Sequence, residues 1–221
     1  MIPILYEDSA ILVCCKPTDV LSQGDGSQMS METLLQAQCG GQIFPVHRLD
    51  FQVGGVMVYA RTKQAAAQLS NQIQAGRLQK EYLAIVENLP PSQEIWEDLL
   101  WKDARAGKSY VVNRERKGVR KAKLQYQVLA STQFREKTVS LCKIHLFTGR
   151  SHQIRVQFSS RGYPLLGDGK YGGRYNTKLA LFSHTLQFDH PLSGKPLRFS
   201  QPMPQTEPWL QFCDKARNNP L

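Results

Sequence analysis

The sequence predicts an α+β fold with a mixed, mainly antiparallel central sheet flanked by helices and loops. Short segments with strand-like alternation outnumber helical segments along the 221 residues. Strands do not alternate strictly with helices, which argues against a doubly wound parallel sheet. The chain has no internal repeat and no linker that separates independent parts, so we expect a single domain over residues 1–221.

The first half of the chain supplies three predicted strands and two predicted helices. The strands are residues 2–6, 10–14 and 56–60, and the helices are residues 31–38 and 63–75. Ser30 and Thr62 stand where each helix needs an N-cap, and Gly76 follows the last turn of the second helix. Lys16-Pro17 breaks the alternation and ends the second strand.

The second half supplies four predicted strands and one helix. The strands are residues 81–87, 124–129, 138–147 and 178–188, and the helix is residues 151–161. Ser151 is expected to cap this helix and Gly162 to end it. On the helix, His152, Arg155 and Ser159 fall in one line at helical spacing. The segment from residue 99 to residue 110 is basic and irregular, and no element is predicted there.

Composition excludes several classes of protein. No apolar run approaches the roughly 18 residues that a membrane helix needs. The five cysteines show no C-x-x-C spacing, and the five histidines show no metal-ligand spacing, so we expect neither a disulfide framework nor a metal. The N-terminus lacks the features of a signal peptide. Free thiols fit a reducing compartment, and we expect a cytoplasmic protein.

Positive charge is the unusual property of the chain, which has 28 Lys and Arg against 18 Asp and Glu. Much of the excess is local. Between Lys102 and Lys123 there are nine Lys or Arg residues against Asp103 and Glu115. A solvated basic loop would explain this segment, but so would a polyanionic partner, because neutralising phosphates releases counterions.

The most informative motif is His-Arg-Leu-Asp-Phe-Gln-Val-Gly-Gly at residues 47–55. It places the carboxylate of Asp50 beside the guanidinium of Arg48 at the start of a predicted strand. Glycine there lets backbone approach a ligand closely. Cations near an Asp favour its anionic form, which suits a nucleophile or a base and disfavours a general acid.

Two further segments carry polar groups. One is Lys80-Glu81-Tyr82, and the other runs from Thr148 to Val156, with Arg150, His152 and Arg155 and no carboxylate. A protein-kinase loop is excluded, because Leu49 intrudes into His-Arg-Asp and no glycine-rich loop occurs. A glycoside hydrolase would need two flanking carboxylates. The pattern favours a single-carboxylate mechanism on an anionic substrate.

Together, in this order, the three segments resemble the RluA-type pseudouridine synthases, which isomerise uridine within folded RNA. The similarity runs from Tyr6-Glu7-Asp8 and Lys16-Pro17 to the segment at residues 188–191. It implies the pseudouridine synthase fold in one catalytic domain, without a preceding S4 module. It also implies that no cofactor is needed.

The resemblance assigns roles to individual residues. It implies that Asp50 is the catalytic carboxylate, that Tyr82 stacks on the target base and takes part in proton transfer, and that Arg155 pairs with the catalytic carboxylate. Arg48 matches the residue that fills the space left by the flipped base. Residues expected to bind RNA or to orient Arg155 share a cationic or polar side chain: Lys80, Arg150 and His152. Gly167-Asp168 with Tyr171-Gly172 matches a family element of unassigned role.

One departure from the family concerns the loop after Asp50. The family usually has Thr-Ser-Gly where this chain has Val53-Gly54-Gly55. Two hydroxyls are lost, so a supporting hydrogen bond is expected to be missing or replaced by backbone N–H groups. Without an S4 module, the catalytic domain itself must hold RNA, with help from residues 102–123.

Three functions remain open from the sequence, in order of preference. The first is isomerisation of uridine to pseudouridine in structured RNA, either ribosomal RNA or tRNA. The alternative from another class is a non-catalytic RNA-binding protein or RNA chaperone on the same scaffold. The third is hydrolysis of a nucleoside or nucleotide. RNA is the expected partner, and we expect a monomer with no obligatory protein partner and no membrane association.

Overall fold

The computed structural model describes residues 1–24 and 29–213. In these residues there are eleven strands and three α-helices. The strands are β1 (Ile4–Glu7), β2 (Ile11–Lys16), β3 (Phe44–Pro45), β4 (Gly54–Ala60), β5 (Gln79–Glu87), β6 (Gln93–Asp103), β7 (Lys108–Val112), β8 (Val119–Phe134), β9 (Lys137–Leu146), β10 (Leu181–Asp189) and β11 (Pro196–Ser200). The helices are α1 (Met31–Cys39), α2 (Lys63–Gln74) and α3 (Gln153–Ser159).

These elements confirm an α+β class with mixed, mostly antiparallel pairing. Contacts between residues divide the chain into two compact units. The first unit contains Met1–Lys80 and Phe182–Pro202, and the second contains Glu81–Leu181 and the segment from Met203. None of the helices within the described residues is long and apolar enough to cross a membrane.

The first unit is a sheet in the order β1-β2-β4-β10, with β3 also paired to β4 and β11 to β10. The pairs are antiparallel except β4 and β10, which are parallel. Every residue of β4 is buried, as expected for a central strand covered on both faces. On one face Val56 and Val58 pack with Ala65 and Leu69 of α2. Thr62 caps α2 through a 3.1 Å bond from the Ala65 N–H, as its sequence predicts.

Gly55 allows the close approach of β4 and β10. Its φ is +119°, and a Cβ built on it would lie 2.7 Å from the backbone nitrogen of Ser183 and closer still to that residue's carbonyl oxygen. The Ser183 hydroxyl donates to the carbonyl of Val56 over 3.0 Å, which fastens the crossing. Only glycine therefore fits the third position of the Val53-Gly54-Gly55 sequence.

The second unit is a sheet in the order β5-β9-β8-β6-β7. The pairs β8–β9, β6–β8 and β6–β7 are antiparallel. Leu100 of β6 and Ala122 of β8 pack with Val156 of α3 and with Tyr171. Three aromatic rings extend this core, with centroid separations between 4.6 and 5.2 Å: Trp96, Tyr126 and Phe158.

Two local predictions for the second unit are wrong. The basic segment at residues 99–110 is not irregular, because it forms the end of β6, a tight turn and most of β7. Helix α3 begins at Gln153, and Ser151 is not its cap. The N-cap position is His152, in the left-handed region with φ 54° and ψ 26°, and it makes no side-chain cap bond.

We expect Gly55→Ala to destabilise the protein by about 3 kcal/mol, because a Cβ would force β4 and β10 apart at a positive φ. The control is Gly76→Ala, where φ is +69° but no atom lies within 4 Å of the added Cβ, and there the cost should be about 1 kcal/mol. Urea denaturation followed by circular dichroism measures both. Equal losses in the two variants would contradict the steric explanation.

Candidate active site

The loop that carries Asp50 precedes β4 in the first unit. Its side chains alternate in burial: His47 and Leu49 are buried, Arg48 is exposed and Asp50 is half-buried. The backbone carbonyl of Asp50 accepts the Val53 N–H over 3.0 Å and closes a turn. The loop therefore leaves Arg48 and Asp50 accessible from solvent, while the buried side chains of His47 and Leu49 anchor it.

Lys16 is the residue that holds this loop in shape. Its side chain is only 1% exposed, and its ammonium group donates to the carbonyls of Pro17, Phe51 and Val53 over 2.9, 3.2 and 2.8 Å. Burial lowers the pKa of Lys16 to about 8, while the negative charges of Asp19 and Asp50 act in the opposite direction. The sequence showed Lys16 only as part of a strand end, because its burial depends on tertiary structure.

The Lys16 contacts also account for the sequence Val53-Gly54 in place of two hydroxyl residues. The carbonyl of Val53 is bound by the Lys16 ammonium, and the carbonyl of Phe51 is bound by both that ammonium and the Asp19 N–H. A Cβ on Gly54 would lie 3.0 Å from the Lys16 carbonyl, so a larger residue would crowd the loop. The sequence led us to expect a hydrogen bond that is missing or replaced by backbone N–H groups. The loop has backbone N–H donors from Asp19 and Val53 and, in addition, the Lys16 ammonium, which was not expected.

His47 fixes the other end of the loop. Its Nε2 accepts the backbone N–H of Val58 in β4 over 3.2 Å. Burial, together with the charge of Lys80, holds the pKa of His47 well below its usual value. The imidazole is therefore neutral at physiological pH and serves as an acceptor. Lys80 itself is half-buried at the start of β5, and burial lowers its pKa to about 8.

Arg155 lies in α3 of the second unit and is locked by a buried ion pair. Its Nε donates to Oδ2 of Asp168 over 2.7 Å, and its Nη2 donates to Oδ1 over 2.8 Å. The guanidinium carbon lies 5.1 Å from the centroid of the Tyr171 ring. This two-bond geometry fixes the plane of the guanidinium. The Gly167-Asp168 element of the sequence thus supplies the residue that orients Arg155.

Tyr171 ties this ion pair to its surroundings. Its hydroxyl accepts the backbone N–H of Ser109 over 2.7 Å and shares a 2.9 Å hydrogen bond with Nδ1 of His152. His152 is thereby connected to Arg155 through Tyr171, and its role as a phosphate contact or as a support for Arg155 stays a prediction. A left-handed backbone at His152 turns its side chain toward Tyr171 and begins α3.

Gln153, which the sequence analysis did not single out, organises the same turn. Its side-chain oxygen accepts from the Thr148 hydroxyl over 2.7 Å and from the Arg150 N–H over 3.0 Å, and its amide donates to the Lys123 carbonyl over 3.1 Å. Arg150 is exposed, and its Nε donates to the carbonyl of Lys121 over 2.9 Å. The segment before α3 is thus pinned to β8.

Tyr82 lies on β5 and is 6% exposed.

The predicted site residues fall into two sets, one in each compact unit. Asp50, Arg48 and Lys80 belong to the first unit. Tyr82, Arg150, His152 and Arg155 belong to the second. Within residues 1–24 and 29–213, no group of three His, Cys, Asp or Glu side chains could hold a metal ion.

Comparison with known proteins identifies the family. The family described as RNA pseudouridylate synthase matches residues 10–160. The ribosomal large subunit pseudouridine synthase D of Xanthomonas campestris is 32% identical, over 91% of this chain and 66% of its own length. The protein of the same name from Pseudomonas aeruginosa is 33% identical, over 94% of this chain and 70% of its own length. The chain therefore spans about two thirds of the length of these relatives.

A solved structure supports the fold. Human RNA pseudouridylate synthase domain containing 4 superposes with a TM-score of 0.77 at 24% sequence identity. The match covers 97% of this chain and 93% of the human chain. A TM-score of 0.77 over nearly all of both chains shows that the two proteins share a fold.

We expect Asp168→Asn to lower the free energy of unfolding by about 3 kcal/mol, because it removes the buried carboxylate that binds the Arg155 guanidinium through two hydrogen bonds. The matched control is Asp98→Asn, which weakens a second two-bond pair in the same unit, to Arg161. The Arg161 side chain is 29% exposed, so water compensates it and the loss should be about 1 kcal/mol. Urea denaturation distinguishes the two, and equal losses would contradict the special role of Asp168.

We expect the stabilising effect of Lys16 to depend on pH. Its pKa falls from 10.5 to about 8 on folding, so between these values the unfolded chain binds more protons than the folded one. Stability contributed at this site therefore increases as pH rises through 8. The unfolding free energy of wild type minus that of Lys16→Met should therefore increase by about 1 kcal/mol from about pH 7.5 to about pH 9.

The control for the Lys16 experiment is Lys63→Met, which removes a lysine from an exposed position in α2. Denaturant midpoints for the three proteins are measured at both pH values. A Lys16→Met difference that stays constant or shrinks with rising pH would refute the lowered pKa.

Proposed function

The chain belongs to the RNA pseudouridylate synthase family, and from that membership we propose that it isomerises uridine to pseudouridine within structured RNA. Asp50, Tyr82 and Arg155 all fall within the matched residues 10–160. The observation that carries the proposal is the fixed backbone around Asp50, whose loop accepts two hydrogen bonds from Lys16, at the carbonyls of Phe51 and Val53. Such preorganisation is what a group that attacks or stabilises a reacting sugar requires.

The proposed reaction needs one carboxylate. The carboxylate of Asp50 attacks the nucleoside or stabilises positive charge on the ribose, while the N-glycosidic bond breaks and uracil leaves as a delocalised anion. The base then turns and its C5 bonds to the ribose C1′, and the carboxylate of Asp50 leaves C1′ in the same step if it had attacked covalently. Loss of the C5 proton, with a proton returned to N1, completes an isomerisation in which no atom is gained or lost. Exclusion of water protects the intermediate from hydrolysis.

The other site residues have supporting roles in this proposal. Arg155, held by Asp168, supplies an oriented cation for the catalytic carboxylate. Tyr82 stacks on the target base and assists proton transfer, and Arg48 fills the space that the flipped base leaves. Extruding a base costs a few kcal/mol, which stacking and filling offset. We propose that both units act as one catalytic domain, since these residues are divided between them.

RNA contacts are assigned to Lys80, Arg150 and His152, with His152 acting mainly as a support for Tyr171. The names of the Xanthomonas and Pseudomonas relatives make large-subunit ribosomal RNA the first substrate to examine, ahead of tRNA. The proposed site of action is the cytoplasm, where such RNA is made in bacteria, and the proposed state is a monomer. Mapping pseudouridine in total RNA from cells with and without the gene identifies the modified position.

We expect Asp50→Asn to abolish tritium release from RNA labelled at uridine C5, because an amide cannot act as the nucleophile. The expected loss is at least 1000-fold on the scale of removed nucleophiles, or about 4 kcal/mol in barrier height. Glu136→Gln, an exposed carboxylate in the β8–β9 turn, is the control and should retain activity. Circular dichroism checks that both variants fold.

Other outcomes of this experiment favour the other functions. Turnover retained in Asp50→Asn would refute Asp50 as the nucleophile. If the wild-type protein binds RNA in a salt-sensitive manner but releases no tritium and leaves no pseudouridine, the chain is a non-catalytic RNA-binding protein. Free uracil among the products would indicate hydrolysis instead.

A further inference from the structure

A basic groove in the second unit lies at the end of β8 that extends beyond β9. Pairing between β8 and β9 begins at Leu124 and Leu146, so residues 119–123 of β8 have β6 on one side and no β9 partner on the other. The groove has a volume of about 560 Å³. Its lining residues are Leu99, Glu115, Arg116, Val119, Arg120, Lys121 and Arg150.

The local fold brings these cations together. The carbonyl of Arg116 accepts the Val119 N–H over 3.0 Å, and Gly118 in this turn has a φ of +87°. The turn returns the chain onto β8 and places the Arg116 guanidinium 4.9 Å from the centroid of the Trp101 ring. Arg150 arrives from the segment before α3 and binds the carbonyl of Lys121.

The guanidinium groups of the groove are held in place without acidic partners of their own among the contacts described. Arg120 donates to the carbonyl of Val119 over 3.1 Å, and Arg150 uses Nε for Lys121. Each guanidinium has five N–H donors, so a single backbone bond orients it while other donors face outward. The terminal nitrogens of Arg150 have the fork geometry that binds a phosphate through two bonds.

Charge in the groove is mainly positive. Four of the lining residues are cations: Arg116, Arg120, Lys121 and Arg150. One lining residue is a carboxylate, Glu115, which lies 3.6 Å from the Lys121 ammonium. Both members of that pair are highly exposed, so their attraction is weak and competes poorly with a bound polyanion. The groove therefore fits an anion that carries several phosphates in a row.

An aromatic pair extends from the groove. Trp101 and Tyr110 are stacked with centroids 6.1 Å apart and planes at 29°, and the Lys108 ammonium lies 5.8 Å from the Tyr110 centroid. Tyr110 is 40% exposed. Cations interleaved with a partly exposed aromatic pair are typical of surfaces that bind unpaired nucleotides, which offer both phosphates and π faces.

We propose that this groove binds the backbone phosphates of a single-stranded segment of the substrate RNA, with Arg116 and Arg120 as phosphate ligands and Trp101 and Tyr110 beside the bases. This inference rests on the proposed function for its choice of RNA. Arg150 joins the two sites, because it lines the groove and precedes His152 by two residues in the segment that orients Arg155. RNA held in the groove is thereby kept beside α3 of the second unit.

The test compares two double variants that remove equal charge from the same stretch of chain. Arg116→Gln with Arg120→Gln alters the groove, whereas Arg114→Gln with Lys117→Gln removes two neighbouring exposed cations that do not line it. The probe is a fluorescein-labelled uridine dodecamer, whose Kd is measured by fluorescence anisotropy at several salt concentrations. We expect the groove variant to lose at least 10-fold in affinity and the control less than threefold.

Salt dependence supplies a second measure. The slope of log K against log salt steepens by about 0.7 for each phosphate of a single strand that a cation neutralises. The groove variant lacks two cations, so the magnitude of its slope should be smaller than that of the wild type by about 1.4. Equal changes of affinity and slope in the two double variants would show that only net charge matters and would overturn the proposal.

Tryptophan emission reports occupancy of the groove directly. Trp96 and Trp209 are buried, so RNA in the groove should change chiefly the emission of Trp101. We expect the dodecamer to quench emission of the wild type and of Asp50→Asn, and to lose most of this effect in the Arg116→Gln, Arg120→Gln variant. Absence of quenching in the wild type would also overturn the proposal.

The outcomes separate the groove from the proposed function. If tritium release fails but the two double variants differ as expected, the groove stands as an RNA site and the isomerase assignment falls. If tritium release succeeds and the double variants bind alike, the isomerase assignment stands and the groove falls.

Discussion

The ammonium of Lys16 is the constraint on which the geometry of the Asp50 loop depends. A buried charge is costly, and the lowered pKa of Lys16 expresses that cost. Three carbonyl acceptors and the nearby carboxylates of Asp19 and Asp50 offset only part of this cost. A loop with no hydroxyl at positions 53 and 54 is thereby fixed by hydrogen bonds to its own backbone. Asp50 can stay half-exposed without becoming mobile.

In the second unit a buried charged residue also fixes a candidate site residue, but there the fixing residue is a carboxylate and the fixed residue is a cation. There Arg155, a cation with a proposed role in the reaction, is the buried group, and Asp168 orients it. Tyr171 connects this ion pair to Ser109 in β7 and to His152 at the start of α3. In each unit a buried residue orients the side chain for which we propose a chemical role.

The class of fold was predictable from the sequence and is confirmed by the structure. The segments of the candidate site could be named from local motifs at residues 47–55, 80–82 and 148–156, and their roles stay predictions. The sequence did not predict what supports these segments. The partner of Arg155 lies 13 residues away, and nothing in that spacing indicates a hydrogen bond. Lys16 reads as an ordinary surface residue until its burial is known. The predicted Ser151 cap of α3 is wrong, because the helix begins at Gln153 with a left-handed His152 at the N-cap position. Strand β6 was missed because its charged residues hide the alternation, and β7 was missed because it is only five residues long.

The parallel pairing of β4 with β10 has a consequence for how the protein is made. Gly55 of β4 pairs with Ser183 of β10. The first unit therefore lacks strand β10 until the ribosome has also translated residues 81–181. At about 5–20 residues per second this delay lasts roughly 5–20 s. Throughout it, the backbone N–H and C=O groups at the Gly54-Gly55 end of β4 lack their β10 partner. This pairing joins residues far apart in the sequence, and contacts of that kind slow folding.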